Sequence, residues 1–105
     1  MLNIVLFTSV NTNSAIANVS NDLVSEFNKA GNNVSIISTE NFQINKVECF
    51  PNLATFIRHD EHDTILPKVS DADIVLYQFG NNYSFHGESI KWLFKFPGIV
   101  TILFI

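Results

Sequence analysis

Two continuous apolar runs near the end of the chain, Ile74–Phe79 and Ile99–Ile105, flank a segment with helical spacing. Runs rich in Ile, Val, Leu and Phe that do not alternate with polar residues are typical of strands buried on both faces. Two such strands joined through a helix form a βαβ unit with a right-handed crossover. The residues after the first strand then lie at its carboxyl end, where open α/β sheets bind their ligands. They include Gly80, Asn81, Asn82 and His86.

The amino-terminal part shows a second strand–helix–strand pattern. Leu2–Thr8 is predicted to be the first strand, central in the sheet, and Asn33–Thr39 the next one. Between them, Ser14 is a good N-cap, and Gly31 is predicted to end the helix in a left-handed conformation. The apolar residues of this helix recur every three or four positions, the spacing of one buried face: Ile16, Val19, Leu23, Val24, Phe27 and Ala30.

The order of these elements predicts the fold class. Repeated strand–helix–strand units indicate a three-layer α/β/α Rossmann-like fold with a parallel sheet of about four to five strands. The chain has 105 residues, of which 47% are hydrophobic and 15% are charged. This size and composition leave room for one core, so residues 1–105 are predicted to form a single domain.

The middle of the chain and the last helix are less regular. Apolar residues between 40 and 50 are compatible with an irregular strand or a loop at the sheet edge: Phe42, Ile44, Val47 and Phe50. A second group predicts one or two short helices that end before Pro67: Leu53, Phe56, Ile57, Ile65 and Leu66. The last helix, from about Glu88 to Phe96, is expected to bury Ile90, Leu93 and Phe94. Trp92 lies off the centre of that stripe, which predicts a partly exposed cover of the core or, alternatively, part of a protein interface.

Charge and cysteine content exclude several classes of function. The net charge of −4 with only six Lys and Arg residues argues against binding to nucleic acid or to an anionic membrane. A single cysteine provides no disulfide framework and favours a cytoplasmic location. No apolar run approaches the roughly 20 residues of a transmembrane helix, and the amino terminus lacks the basic region of a signal peptide.

Cofactor and metal motifs are not predicted. The segment from Thr8 to Ala15 contains no glycine, so neither G-x-G-x-x-G nor a P-loop is present and no nucleotide cofactor is expected. On a helix, His59, His62 and Asp63 would share one face and would offer metal ligands. Their spacing is not H-E-x-x-H, however, and no third ligand is evident nearby. A solvated polar surface is the preferred interpretation, and no metal site is assigned.

Several short motifs carry a resemblance to a known family. The strand end reads YQFGNN at 77–82, a histidine follows at 86, and FPGIV stands at 96–100. Near the start, SAIA at 14–17 marks the beginning of the first predicted helix, and AGNNV at 30–34 forms the turn at its end. In this order, the motifs resemble the first domain of the large family of retaining, nucleotide-sugar-dependent glycosyltransferases with the GT-B fold. Members of that family carry Y-Q-x-G-N, a nearby His, P-G-V-V, S-G-I-A and x-G-H-x-V.

The resemblance implies the acceptor-side portion of a glycosyltransferase, truncated within its amino-terminal domain. The substrate-binding residues that it implies are Ser14, Ala15, Gly80, Asn81, Asn82 and His86. Ala15 stands where the family usually has Gly, and Ser14 is alternatively only a helix cap. Gly80 with its two asparagines is alternatively a strand-to-helix turn without a ligand.

The end of the chain departs from the family pattern. The family strand closes with Leu-His-Asp, whereas this chain closes with Leu103, Phe104 and Ile105. The second domain, which binds the nucleotide in the family, is not expected within these 105 residues. No catalytic residue is therefore assigned, and catalysis is not expected from this chain alone. A second glycosyltransferase domain on another chain is one partner that the resemblance implies.

Self-association provides an alternative function. The strand that begins at Ile99 has no strand after it, which leaves apolar side chains and unpaired backbone groups at an edge of the sheet. We expect a homodimer formed through this edge strand or through the last helix. The alternative to a glycosyltransferase part is thus a small α/β oligomerisation or interaction module that kept the fold and lost catalysis.

Overall fold

The computed structural model describes residues 1–10, 15–39, 55–80 and 87–102. Strands and helices alternate along these segments. In chain order they are β1 (Asn3–Thr8), α1 (Ala15–Lys29), β2 (Asn33–Ser38), β3 (Thr55–Arg58), α2 (His62–Asp71), β4 (Ile74–Phe79), α3 (Gly87–Lys95) and β5 (Ile99–Ile102). The strands pair in parallel throughout, in the order β3-β2-β1-β4-β5. This confirms the predicted Rossmann-like α/β fold, with β1 in the centre of the sheet.

The helices cover the two faces of the sheet unequally. Ile4 and Leu6 of β1 pack on the side of α1, together with Val24. The alternate residues Val5 and Phe7 belong to the cluster that contains the buried residues of α2 and α3. Side chains of a strand point alternately to opposite faces, so α1 lies on one face, and α2 and α3 lie on the other. All four β1 side chains are at most 2% exposed, which makes β1 the core of a three-layer structure.

Helix α1 ends as predicted but buries a different set of residues. Gly31 has φ +85°, the backbone N–H of Gly31 donates to Asn28 O, and that of Asn32 donates to Phe27 O. These are the two bonds of a Schellman motif, in which glycine takes the left-handed position. The prediction that Val19 is buried is wrong, since it is 43% exposed. The buried residues of the helix are Ile16, Ala17, Ser20 and Val24.

The prediction for the middle of the chain is corrected at two points. Phe56 and Ile57 lie in strand β3, not in a short helix. Helix α2 does not end before Pro67 but contains it. A proline inside a helix removes one hydrogen bond and costs about 3 kcal/mol. Ile65 and Val69 are buried on either side of it, and the packing of these two side chains on the sheet offsets that cost. The predictions for residues 42–53 lie outside the described residues.

The last helix presents its aromatic residues differently from the prediction. Trp92 is 6% exposed and belongs to the core, where its ring lies 6.0 Å from that of Phe7. Phe94, predicted to be buried, is 83% exposed. Successive helical residues are about 100° apart, so a helix that turns Trp92 toward the sheet turns Phe94 away from it.

Strand β5 is the edge strand of the described sheet. It was predicted to be buried on both faces, and this is wrong because all four residues are exposed. The expectation of an apolar edge at this end of the sheet is confirmed, with Ile99 59% and Ile102 56% exposed. Among the described residues, no helix is long and apolar enough to span a membrane.

Candidate functional site

The chain leaves the sheet in opposite directions after β1 and after β4. Helix α1 follows β1 on one face, whereas α3 follows the neighbouring strand β4 on the other. Where two adjacent parallel strands send their connections to opposite faces, a crevice opens at their carboxyl ends, and open α/β sheets bind ligands there. The three helices also begin at this end of the sheet, with their backbone N–H groups directed toward it. The carboxyl end of the sheet is therefore the candidate site.

A row of polar side chains crosses this end of the sheet. The backbone N–H of Thr39 donates to Thr8 O at 3.1 Å, and that of His59 donates to Ser38 O at 3.1 Å. Both bonds continue the parallel ladders by one residue beyond β2 and β3. The register therefore places Ser9, Thr39 and His59 side by side, on the face that carries α2 and α3. They form one polar row above the apolar row of the core, which contains Phe7, Ile37 and Ile57.

Two members of this row have side chains without hydrogen-bond partners. Neither Thr39 Oγ1 nor either ring nitrogen of His59 finds one among the described residues, although all three atoms are buried. Thr39 itself is 0% exposed. A buried polar group left without a partner costs about 1 to 3 kcal/mol. Such groups are rare in folded proteins, and each calls for an explanation such as an ordered water, an ion or a bound ligand.

Two further unpartnered atoms lie near this end of the sheet. Ser89, in the first turn of α3, is 1% exposed, and its Oγ lacks a partner within the described segments. Gln78 in β4 is 3% exposed, and the same holds for its Oε1. Gln78 aligns with Thr101 of β5, and both side chains line a groove beside α1, on the opposite face from the Thr39–His59 row.

The remaining hydroxyls near the crevice are paired and have a structural role. Thr8 Oγ1 lies 2.6 Å from Ser20 Oγ and also donates to the carbonyl oxygen of Ser9 at 3.0 Å. Thr8 and Ser20 are both 0% exposed. The pair therefore fastens the second turn of α1 to the carboxyl end of β1, and it fixes where this helix starts relative to the crevice.

Tyr77, the first residue of the YQFGNN motif, is also structural. Its ring stacks on Phe7 with centroids 4.7 Å apart, and its hydroxyl donates to the carbonyl oxygen of Phe96 at 2.6 Å. Burial raises the pKa of Tyr77 to about 12, because the anionic phenolate would lose its hydration. The phenol is therefore neutral at physiological pH, and it links β4 to the end of α3.

The residues predicted to bind substrate are described only in part. Ser14, Asn81, Asn82 and His86 lie outside the described residues. Ala15 is the exposed first residue of α1, at the carboxyl end of the sheet. Gly80 directly follows β4 and is half-buried at the same end. The structure thus brings Ala15 and Gly80 to the two sides of the crevice, as their positions after β1 and β4 require.

The histidine cluster does not form the helical face considered from the sequence. His59 precedes α2, which begins only at His62. The ring of His62 meets Trp92 edge-on, at 5.7 Å between centroids, and Asp63 is exposed. No group of three or more His, Cys, Asp or Glu residues suited to a metal ion occurs in the part of the chain that the structure describes. The solvated-surface interpretation fits Asp63, but it does not fit the buried ring nitrogens of His59.

Thr39, Gln78 and Ser89 were not among the residues predicted to bind substrate. A signal for Thr39 exists in the sequence, since a polar residue follows a strongly apolar strand at the end where ligands bind. Gln78 interrupts the apolar run 74–79, which is a comparable signal. Whether the polar atoms of these residues find partners among the described residues depends on the neighbouring strands and helices. The local sequence does not contain this information.

Comparisons with protein-family models, with curated proteins and with solved structures find no match to this chain.

Proposed function

We propose that this chain binds an uncharged, hydroxyl-bearing small molecule of the sugar class at the carboxyl end of its sheet, as the acceptor-side part of a nucleotide-sugar-dependent glycosyltransferase. The observation that carries the proposal is the pair formed by Thr39 and His59, whose buried polar atoms have no partner among the described residues. Both lie at the carboxyl end of the sheet, Thr39 one strand and His59 two strands away from β1, which borders the crevice where α/β folds of this topology bind their ligands.

The chemistry of the pair favours a polyol. A sugar hydroxyl both donates and accepts hydrogen bonds, so it can pair with the Thr39 hydroxyl and with an imidazole nitrogen that either donates or accepts. An anion is disfavoured, since three acidic residues follow His59 closely in the sequence, namely Asp60, Glu61 and Asp63. The nearby cation Arg58 is already paired with Asp60 at 3.1 Å. The absence of glycine between Thr8 and Ala15 likewise disfavours a phosphate site.

The resemblance supports the assignment to glycosyltransferases. The motif YQFGNN begins in β4, so that Gly80 stands at the carboxyl end of that strand. Ala15 of the SAIA motif is the first residue of α1, at the same end of the sheet. Ala15 and Gly80, one described residue from each motif, therefore adjoin the crevice in which an acceptor sugar is proposed to bind. The proposal assigns binding to this chain and leaves transfer to a second domain.

Titration followed by amide NMR tests this function. A panel of monosaccharides, UDP-glucose and UDP is added to the labelled chain. The expected result is a saturable shift of amides at the carboxyl end, such as those of Thr39, His59 and Gly80, by the sugars but not by UDP. Asn3 and Asn33, at the amino end of the sheet, serve as internal controls. Shifts confined to the amino end, or no shift at millimolar sugar, would overturn the proposal.

A second candidate function, self-association, is favoured by the exposed edge strand. Ile99 and Ile102 of β5 are more than half exposed, and residues 96–105 contain no charged side chain that would discourage pairing with another copy. Sedimentation of the wild-type chain and of Ile102→Lys tests it. A dimer that the lysine dissociates supports pairing through β5, whereas a wild-type monomer at high micromolar concentration excludes self-association.

A further inference from the structure

The face of the sheet that carries α1 is incompletely covered. Helix α1 packs over β1, β2 and β4, and it leaves a groove of about 450 Å3 between itself and the β4–β5 side of the sheet. Val19 and Leu23 form its apolar wall, and Gln78 and Thr101 lie on the floor. The groove is shallow and largely open to solvent, a shape that suits the face of a helix more than a small ligand.

Two features of the groove indicate what would occupy it. Its rim on α1 carries the exposed carboxylates of Asp22 and Glu26, four residues apart. Glu26 pairs with Lys29 at 3.4 Å, but both side chains are more than 70% exposed, so this ion pair contributes little and exchanges readily. The wall of the groove is apolar and is formed by Val19 and Leu23. An apolar group flanked by cationic hydrogen-bond donors therefore complements the groove.

Helix α3 displays such a group on its outer surface. Phe94 is 83% exposed. Two exposed lysines flank it on the helix, Lys91 three residues before it and Lys95 directly after it. The ammonium group of Lys95 lies 5.8 Å from the Trp92 ring, an attraction that still leaves the charge at the surface. The two lysines are four residues apart, as are Asp22 and Glu26, and four residues span roughly 6 Å along a helix. The two charge pairs therefore match in spacing.

We infer that two copies of this chain associate by docking α3 of one copy into the groove beside α1 of the other. Phe94 fills the apolar part of the groove, and the two lysines pair with Asp22 and Glu26. Buried aromatic residues with charged neighbours are the usual centres of such interfaces. The docked helix also covers the α1 side of β5, including Ile99. The inference refines the self-association proposed above and rests on it, but it does not depend on sugar binding.

The contact joins two different surfaces, which makes it testable by complementation. Charge reversal of the groove in Asp22→Lys/Glu26→Lys, or of the helix in Lys91→Glu/Lys95→Glu, is expected to weaken self-association at least about tenfold. Each variant keeps one intact surface. An equimolar mixture is therefore expected to form a one-to-one dimer by sedimentation, although each variant alone is monomeric. Circular dichroism and thermal melts check that both variants fold.

A pair of alanine variants provides a second measurement. Phe94→Ala removes the anchor and is expected to weaken association at least about tenfold, since truncation of a central aromatic residue is among the largest interface effects. Leu66→Ala is the matched control, because Leu66 is a 49% exposed apolar residue on α2 with no part in the contact. If the charge-reversal variants and Phe94→Ala associate as the wild type does, and only Ile102→Lys dissociates, the docking of α3 is overturned. Pairing through β5 would then remain as the mode of self-association. A wild-type chain that stays monomeric would overturn both.

Discussion

At the amino end of the sheet, polar side chains pair with the backbone and with one another. The backbone N–H of Asn3 donates to Asp73 Oδ2 at 2.7 Å, and Asn33 Nδ2 donates to Asn3 Oδ1 at 3.2 Å. At the carboxyl end, Thr39 Oγ1 and both ring nitrogens of His59 have no partner within the described segments. The contrast is between these particular groups, because the carboxyl end also holds the paired hydroxyls of Thr8 and Ser20. At the amino end, Asn28 Nδ2 in the last turn of α1 is also buried without a partner among the described residues.

The two sets of polar groups contribute differently to stability. Paired groups at the amino end are exposed, and they stabilise the fold modestly by fastening strands to loops. Thr39 Oγ1 and the ring nitrogens of His59 are buried and have no partner among the described residues, and a buried polar group without a partner destabilises the fold. Stability accounts for the paired residues at the amino end, and the proposed sugar binding would supply the partners at the carboxyl end. Substitutions at each end test this division.

The largest expected effect is at Gly98, which precedes β5 at the amino end. A Cβ atom there would overlap the carbonyl oxygen of Val75. Because the neighbour is backbone and cannot move aside, Gly98→Ala should lower the free energy of unfolding by about 3 kcal/mol. Gly31→Ala is the control, because a Cβ atom at Gly31 would meet no other atom and only the φ of +85° would disfavour alanine. We expect it to lower the free energy of unfolding by about 1 kcal/mol. Equal losses in urea unfolding would contradict the proposed overlap.

Alkaline pH should destabilise the fold through Tyr77. Its folded pKa is about 12, against 10.0 for an ordinary tyrosine. Below pH 10 the phenol is neutral in both states and its contribution is complete. Between pH 10 and 12 the unfolded chain loses the proton first, so roughly 2 to 3 kcal/mol of stability should be lost. Unfolding measured against pH should show this loss in the wild type. A wild-type curve parallel to that of Tyr77→Phe would refute the assignment.

A smaller effect is expected at Asp73. Asp73→Ala removes the acceptor for the backbone N–H of Asn3 and should cost about 1 kcal/mol, because the bond is exposed. Asp71→Ala, two residues earlier, removes an exposed carboxylate at the end of α2 and serves as the matched control, with little change expected. If thermal melts show the same loss for both variants, the structural role assigned to the amino end fails.

Much of the fold was predictable because its strands are unusually apolar. Strands such as β1 and β4 lie inside the sheet, and runs without alternation identify such strands. Strand β3 was missed because it has only four residues, of which only Ile57 is buried. The end of helix α2 was predicted too early, before Pro67, because the rule that proline ends a helix considers only local sequence. The packing of Ile65 and Val69 on the sheet stabilises the helix on both sides of the proline. The predicted exposures of Trp92 and Phe94 were the reverse of those observed. Three large apolar residues in a row, 92–94, leave the buried face of a helix ambiguous.

The site was predictable in its location but not in all of its members. The position of Gly80 follows from the rule that ligands bind at the carboxyl ends of parallel strands. Thr39 and His59 were not recognised as a pair, because they become neighbours only through the register of β2 and β3. Whether a hydroxyl has a partner depends on the three-dimensional structure. Ser20, which bonds to Thr8, and Thr39, which bonds to none of the described residues, look alike in the sequence.

The central claim is that Thr39 is kept for binding and not for stability, and comparing two buried hydroxyls tests it most directly. Ser20→Ala removes a paired hydroxyl and should lower the free energy of unfolding by about 1 kcal/mol. Thr39→Val replaces an unpaired hydroxyl with a methyl group of similar size, and it should leave the free energy unchanged or raise it by up to about 1 kcal/mol, while abolishing the sugar-induced amide shifts. A loss of stability in Thr39→Val as large as that in Ser20→Ala would contradict the account.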